Sequence, residues 1–200
     1  CFFYKLHIAL INFKIRHYYV FSIKKLMESK ENIVFLGMMG SGKTTIGKLV
    51  SKKLNLNFFD TDKAIEDELN MKISKIFKEK GESFFRELEE KITLDILKKK
   101  NTVIALGGGT FLNKNIREKV LTNSLSFWLK WKDEILLDRI KKSFKRPLAT
   151  NSSRKELLNM IKKRSSIYSK ALYNIDCNNL TKHQLVNVIV NIYETNKVNN

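Results

Sequence analysis

The stretch Gly37-Met38-Met39-Gly40-Ser41-Gly42-Lys43-Thr44 decides how this chain is read. Its spacing is G-x-x-x-x-G-K-[ST], and its surroundings match its letters. Before it runs the short apolar, β-type segment Asn32-Ile33-Val34-Phe35-Leu36, suited to a buried strand. After it, from Thr45 to Leu54, the apolar residues Ile46, Leu49, Val50 and Leu54 recur at helical spacing. Strand, glycine-rich turn and helix N-terminus in that order make an anion cradle. The glycines let successive backbone N–H groups turn inward, and the helix dipole adds positive potential. Gly40, Ser41, Gly42 and Thr45 would line it. Lys43 would reach the β- and γ-phosphates, and the Thr44 hydroxyl would ligate Mg²⁺. A chance glycine turn is the bland alternative, and it leaves the flanking strand and helix unexplained. The stretch predicts a nucleoside triphosphate site.

Two hundred residues bound the rest: one domain, with length enough for a substantial core. Two cysteines, Cys1 and Cys177, supply neither a disulfide framework nor a metal-ligand spacing, which fits a reducing cytoplasm. The net charge of +18 invites a nucleic-acid reading. Its lysines, however, are spread through helix-like segments among Glu and Asp, with no recognition module in view. Residues 1–26 differ in character from the remainder of the chain: no acidic residue, many aromatics, and an apolar run from Ile8 to Phe13 too short to span a bilayer. They read as an upstream extension of a domain beginning at Met27 and running to residue 200.

Along the chain, Leu56-Asn57-Phe58-Phe59 reads as a second strand delivering Asp60-Thr61-Asp62. In an extended segment residues two apart face one side, so both carboxylates would look toward the phosphate loop, one for a metal and one for a proton. The competing reading is that Asp62 caps the helix starting at Lys63. An amphipathic stretch from Ile73 to Lys80 stops at Gly81, and a further helix runs from Ser83 to about Lys100. On its wheel Phe85, Leu88, Ile92 and Ile96 form one stripe. Glu89 falls inside that stripe, where a carboxylate needs a partner. Arg86, three residues earlier, is within reach: an ion pair in a site wall, or an ordinary surface pair.

The run Thr102-Val103-Ile104-Ala105-Leu106 is a buried-strand pattern ending in Gly107-Gly108-Gly109. Of eight glycines, three lie in the phosphate loop and three here, so a glycine-poor chain concentrates them in two places. At the C-terminal end of a strand such a triplet exposes main-chain donors to a ligand. Ser124 to Leu129 reads as another strand and Lys132 onward as helix. Residues about 140–155 form a polar loop carrying the sole proline in Arg146-Pro147-Leu148, of a length typical of lids. A helix holding Arg164 and Tyr168 on one face, a short strand from Tyr173 to Asp176 and a terminal helix from Thr181 to Glu194 finish the chain.

Together these segments resemble the shikimate kinase family, small P-loop kinases of the nucleoside-monophosphate-kinase type. The resemblance is carried by Gly37 to Thr44, Asp60-Thr61-Asp62, Phe85-Arg86-x-x-Glu89, Gly107-Gly108-Gly109, Arg146-Pro147-Leu148 and Arg164-x-x-x-Tyr168, in order and over essentially the chain from Ile33 on. It implies an α/β, three-layer P-loop kinase fold: a five-stranded parallel sheet with helices on both faces and a mobile lid over about 140–155, the substrate-binding segment lying at about 60–100. It implies ATP as cosubstrate with Mg²⁺, and transfer to the 3-hydroxyl of shikimate on the route to chorismate and the aromatic amino acids. Residue by residue, Lys43 resembles the phosphate-binding lysine, and Thr44 and Asp60 the Mg²⁺ ligands. Asp62 resembles the residue that contacts the shikimate hydroxyls and acts as base. Arg86 and Arg164 resemble the pair gripping the substrate carboxylate, a bidentate task suited to planar forks. Gly107, Gly108 and Gly109 resemble the main-chain side of the substrate site, and Glu89 its brace. Arg146 resembles the lid arginine, and Arg139 the arginine that packs on adenine. A cytoplasmic monomer is expected, with no specific nucleic-acid or membrane partner. The rival readings are another small P-loop kinase such as a gluconate kinase, or a non-catalytic nucleotide- or nucleic-acid-binding module.

Overall fold

The computed structural model describes residues 32–141 and 152–198. The extension expected over 1–26, the start at Met27, Arg146 and most of the expected lid lie outside the described residues.

Five strands form one sheet: β1 (Asn32–Leu36), β2 (Asn57–Asp60), β3 (Thr102–Ala105), β4 (Ser124–Lys130) and β5 (Tyr173–Asp176). All pairings are parallel, in the order β2-β3-β1-β4-β5. The central strands are buried on both faces, which is why β1 and β3 read as near-continuous apolar runs. The edge strands β2 and β5 are only partly covered. Around the sheet lie α1 (Lys43–Leu54), α2 (Thr61–Leu69), α3 (Ile73–Leu97), α4 (Lys114–Asn123), α5 (Asp133–Lys141), α6 (Arg154–Tyr168) and α7 (Lys182–Val198). Helix α4 and the 3-10 turn Thr110–Leu112 carried no sequence expectation. The break foreseen at Gly81 is present: that residue stands at φ 81°, ψ 171° inside α3.

Alternation along β1 divides the core into two layers. Ile33 and Phe35 pack with Phe127 and Leu129 against Ile46, Val50 and Ile189, on the α1–α7 face. Val34 and Leu36 pack with Ile104, Ile116, Leu137 and Ile161 on the other. Across the first face Phe35, Phe127 and Tyr173 form a ring ladder, with centroids 5.8 and 5.0 Å apart. Each such pair contributes about 0.5–1.5 kcal/mol beyond burial.

Turns show how a glycine-poor chain keeps its glycines for other places. Helices α1 and α2 end on Asn55 (φ 52°) and Asn70 (φ 50°), both left-handed. Asparagine is the residue that tolerates this conformation best after glycine. Register then gathers the functional ends: Asp60 pairs with Ala105, and Ala105 with Phe35. The phosphate loop, the Asp60 corner and the glycine triplet therefore leave the same edge of the sheet, at the switch point beside β1 where open α/β sheets bind ligands.

Candidate active site

Leaving β1, the chain turns through Gly37 (φ 134°), Gly40 (φ 78°) and Gly42 (φ 93°) before α1 begins. These angles are strained for any residue with a Cβ. Ser41 is buried, and its hydroxyl has no hydrogen-bond partner among the described residues. An orphaned buried hydroxyl within a ring of backbone donors is what an anion cradle leaves unsatisfied until its ligand arrives. Lys43 is only 8% exposed; its Nζ arches back to donate to Gly37 O and Met38 O, both at 2.9 Å. The ammonium is thus held along the loop. Thr44 and Thr45 open α1 on its exposed side.

The Thr44 hydroxyl donates to Asp60 Oδ2 at 2.6 Å. The other oxygen, Asp60 Oδ1, accepts from Asp62 N at 3.1 Å and Lys63 N at 3.3 Å, so Asp60 is the N-cap of α2. This departs from the expected geometry. The strand ends at Asp60, so Asp62 stands in the first helical turn rather than two residues along a strand, and the cap is Asp60, not Asp62. Both carboxylates nonetheless line one cavity with Thr44. Asp62 faces the triplet closely: a Cβ on Gly107 would lie 2.4 Å from Asp62 Oδ1. Gly107 N donates to the Thr61 hydroxyl at 2.8 Å, tying the triplet to the start of α2.

The opposite wall is α3. Glu89, 3% exposed, accepts from Arg86 Nη1 at 2.7 Å and from the Thr110 hydroxyl at 2.7 Å. Glu89 is thus buried and Arg86 half-buried, and the pair stands in the wall of a cavity rather than on an open surface. Arg86 also donates from Nε and Nη2 to Glu82 Oε1, at 3.2 and 3.1 Å. Burial works against its charge, but the Glu89 carboxylate and the hydrogen bonds to Glu89 and Glu82 outweigh it and raise the guanidinium above its ordinary pKa. The guanidinium lies over the Phe85 ring (5.1 Å) and close to Gly109, where a Cβ would come within 2.9 Å of Nη1. From α6, Arg164 Nη1 donates to Gly108 O at 3.3 Å, and the buried Tyr168 hydroxyl donates to the same carbonyl.

The cavity so enclosed measures about 840 Å³. Thr44, Asp60, Asp62, Arg86, Glu89, Gly108, Gly109 and Arg164 all line it, with Phe77 and Phe85 as its apolar side. Two guanidinium groups to take an anion, the Asp60 and Asp62 carboxylates to meet hydroxyls, and a pair of rings suit a small, hydroxylated, anionic ring, while Glu89 and Glu82 hold Arg86. Arg139 stands apart from this cavity: its Cζ lies 3.5 Å over the Trp131 ring, beside the phosphate loop. Arg146 is outside the described residues.

Among the described residues there is no group of three or more His, Cys, Asp or Glu suited to a metal. Mg²⁺ needs none, since it binds through one or two protein oxygens plus substrate phosphates and waters. The adjacent Thr44 and Asp60 oxygens fit that pattern.

Thr61, Thr110 and Trp131 have no place in the sequence reading. Thr110 directly follows the triplet and Thr61 lies between the aspartates, so position hinted at both. Trp131 had no such signal.

Comparison with known proteins shows the family and the fold. The family model described as shikimate kinase matches residues 39–194. A shikimate kinase of Bartonella quintana is 36% identical over 179 residues, covering 88% of this chain and 85% of its own. That of Bacillus subtilis is 38% identical over 169 residues, covering 80% of this chain and 88% of its own. Among solved structures, the shikimate kinase of Acinetobacter baumannii in complex with shikimate superposes with a TM-score of 0.77 at 30% identity, over 84% of this chain and 94% of that one. The enzyme of Aquifex aeolicus gives 0.75 at 32%, over 84% and 99%. None of these relatives favours a gluconate kinase or a non-catalytic module.

Proposed function

This chain belongs to the shikimate kinase family and is an ATP-dependent phosphotransferase, and from that premise we propose how its residues divide the transfer of a phosphoryl group to the 3-hydroxyl of shikimate. One observation carries the assignment: Asp62, Arg86 and Arg164 line one cavity that opens at Thr44 of the phosphate loop.

Phosphoryl transfer needs positioning and charge stabilisation more than covalent help. The N–H groups of Gly40 to Thr45 and the Lys43 ammonium hold the phosphates, Lys43 exchanging its two carbonyl partners for phosphate oxygens. Thr44 and Asp60 would hold Mg²⁺, which would supply positive charge beside the phosphates when bound. Arg86 and Arg164 take the acceptor's carboxylate, and Glu89 keeps Arg86 aimed. Gly107, Gly108 and Gly109 let the acceptor approach the main chain. Asp62 accepts the proton of the attacking hydroxyl, and the absence of a side chain at Gly107, which leaves the carboxylate its place beside the triplet, supports that role. Arg139 serves the base end of ATP. Arg146 in the segment about 140–155 would add positive charge to the site. The buried free thiol of Cys177 fits a cytoplasmic enzyme. No helix among the described residues is long and apolar enough to cross a membrane.

The test offers shikimate and gluconate separately and follows ADP release. Release should depend on shikimate alone. Asp62→Asn should cut kcat by about 10²–10⁴-fold, the usual weight of a positioned base, while ATP binding is retained. Turnover unaffected by the substitution would remove Asp62 from its role, and turnover on gluconate would overturn the acceptor.

A further inference from the structure

Strand order fixes the direction in which the nucleotide must lie. The acceptor cavity sits on the β2–β3 side of β1, against Asp60 and the glycine triplet. The terminal phosphate must point into that cavity, so the remainder of the nucleotide runs the other way, across the ends of β4 and β5. Three described features meet there. Trp131 follows β4 directly; Arg139 lies on α5; Asn178 follows β5.

Their contacts form one unit. Trp131 Nε1 donates to Ser41 O at 2.9 Å, so its only polar group is spent on the phosphate loop. The Arg139 guanidinium lies over the same indole at 3.5 Å, a stacking distance. At the loop's outer bend a Cβ on Gly40 would meet Arg139 Cβ at 3.4 Å. The backbone on either side of Trp131 is pinned as well: Cys177 N donates to Lys130 O, and Lys132 N to Asn178 Oδ1, both at 2.9 Å. Both Trp131 and Arg139 are half-buried. The indole packs against both core layers as well, and the Arg139 guanidinium covers the part of it that the core leaves open.

We propose that Trp131 is the positioning residue for the base end of the nucleotide: it holds the Arg139 guanidinium flat as a platform for the purine and couples that platform to the phosphate cradle through Ser41. A free arginine samples many rotamers, and ordering it on binding costs affinity. Clamped on an indole, its plane is set before the nucleotide arrives, and its second face meets the base π system. The inference rests on Arg139 being the base-side residue of the ATP reading.

Inhibition by ADP and by inorganic tripolyphosphate, each competing with ATP, separates the base end from the phosphate end. Trp131→Leu removes the stack and the N–H. It should weaken ADP about five-fold, in line with loss of a cation–π contact, and raise the KM for ATP similarly. Tripolyphosphate inhibition and the KM for shikimate should stay within about two-fold, the level at which no specific contact is lost. Equal weakening of ADP and tripolyphosphate, or of neither, overturns the proposal. If Trp131→Leu does not fold, Trp131→Phe decides. It keeps a ring under Arg139 but loses the bond to Ser41, and should weaken ADP about three-fold with tripolyphosphate changed by less than about two-fold; ADP inhibition within about two-fold of the parent's overturns the proposal. Arg139→Ala separates the two layers of the argument. If it leaves ADP unaffected, the base-side reading of Arg139 falls and takes the inference with it. If it weakens ADP while Trp131→Leu does not, only the role of Trp131 is lost.

Discussion

The Thr110 hydroxyl reaches Glu89 Oε1 across 2.7 Å, joining the turn after the glycine triplet to helix α3 where both residues are buried. The other oxygen of the same carboxylate holds Arg86. Thr110 therefore acts on the substrate fork at one remove, by fixing the carboxylate that fixes the fork. Thr110→Val keeps the shape and deletes the donor. A buried hydrogen bond to a charged group is worth about 1.5–3 kcal/mol, so thermal unfolding should show a loss of that order. The KM for shikimate should rise while the KM for ATP holds, and Thr110→Ser should restore both.

Two neighbouring glycines give a contrasting pair. A Cβ on Gly107 would sit 2.4 Å from Asp62 Oδ1 and 2.7 Å from the Thr110 hydroxyl. Thr110 is fully buried whereas Asp62 borders the cavity, so the carboxylate is the group that gives way, and Gly107→Ala should depress kcat by at least about ten-fold through a displaced base. On Gly109 the clash is with Arg86 Nη1 at 2.9 Å, the far end of a long side chain. Gly109→Ala should mainly raise the KM for shikimate. Steady-state kinetics on the two variants reads the difference directly.

Asp60 uses one oxygen for the helix and the other for Thr44. Asparagine caps helices as well as aspartate does. Asp60→Asn should thus keep its melting temperature yet need more Mg²⁺ for half-maximal rate. Asp60→Ala should show the same Mg²⁺ deficit plus the loss of about 0.5–2 kcal/mol expected for a missing cap. Mg²⁺ titrations and thermal melts on both variants separate the two tasks.

Burial, with a smaller contribution from Asp176, pushes the Cys177 thiol from its ordinary value of 9.0 up to about 12. Only about one thiol in ten thousand is then ionised at pH 8, and the thiolate is the reactive form. Iodoacetamide followed by peptide mass mapping should leave Cys177 unmodified in the folded protein and alkylate it once denaturant is added. Because the folded pKa lies above the unfolded one, the stability gained from a neutral thiol is intact below pH 9.0 and is lost as pH climbs toward about 12. Cys177→Ala should flatten that alkaline decline.

The phosphate loop and the central strands were legible because their signals are local: glycine spacing, apolar runs, a helix-period stripe. Glu89 stood out for a related reason, as a carboxylate on an apolar face with an arginine one turn away. The Asp60–Asp62 geometry was misread because alternation along a strand holds only while the strand lasts. Asp60's own side chain ends it by capping the next helix. Thr61, Thr110 and Trp131 escaped because their contacts span 46, 21 and 90 residues of sequence. Sequence neighbours hinted that Thr61 and Thr110 stood near the site, but nothing local marked their partners, and Trp131 had no local signal at all.

The carbonyl of Gly108 is taken by two donors from one helix, the hydroxyl of Tyr168 and the guanidinium of Arg164. A run of three glycines would otherwise let the peptide plane between Gly108 and Gly109 flip over. With its oxygen tethered toward α6, that plane cannot rotate, and in a trans peptide the attached amide hydrogen must aim the opposite way. The most pliable stretch of the chain is thereby made to present a permanent, one-sided dipole.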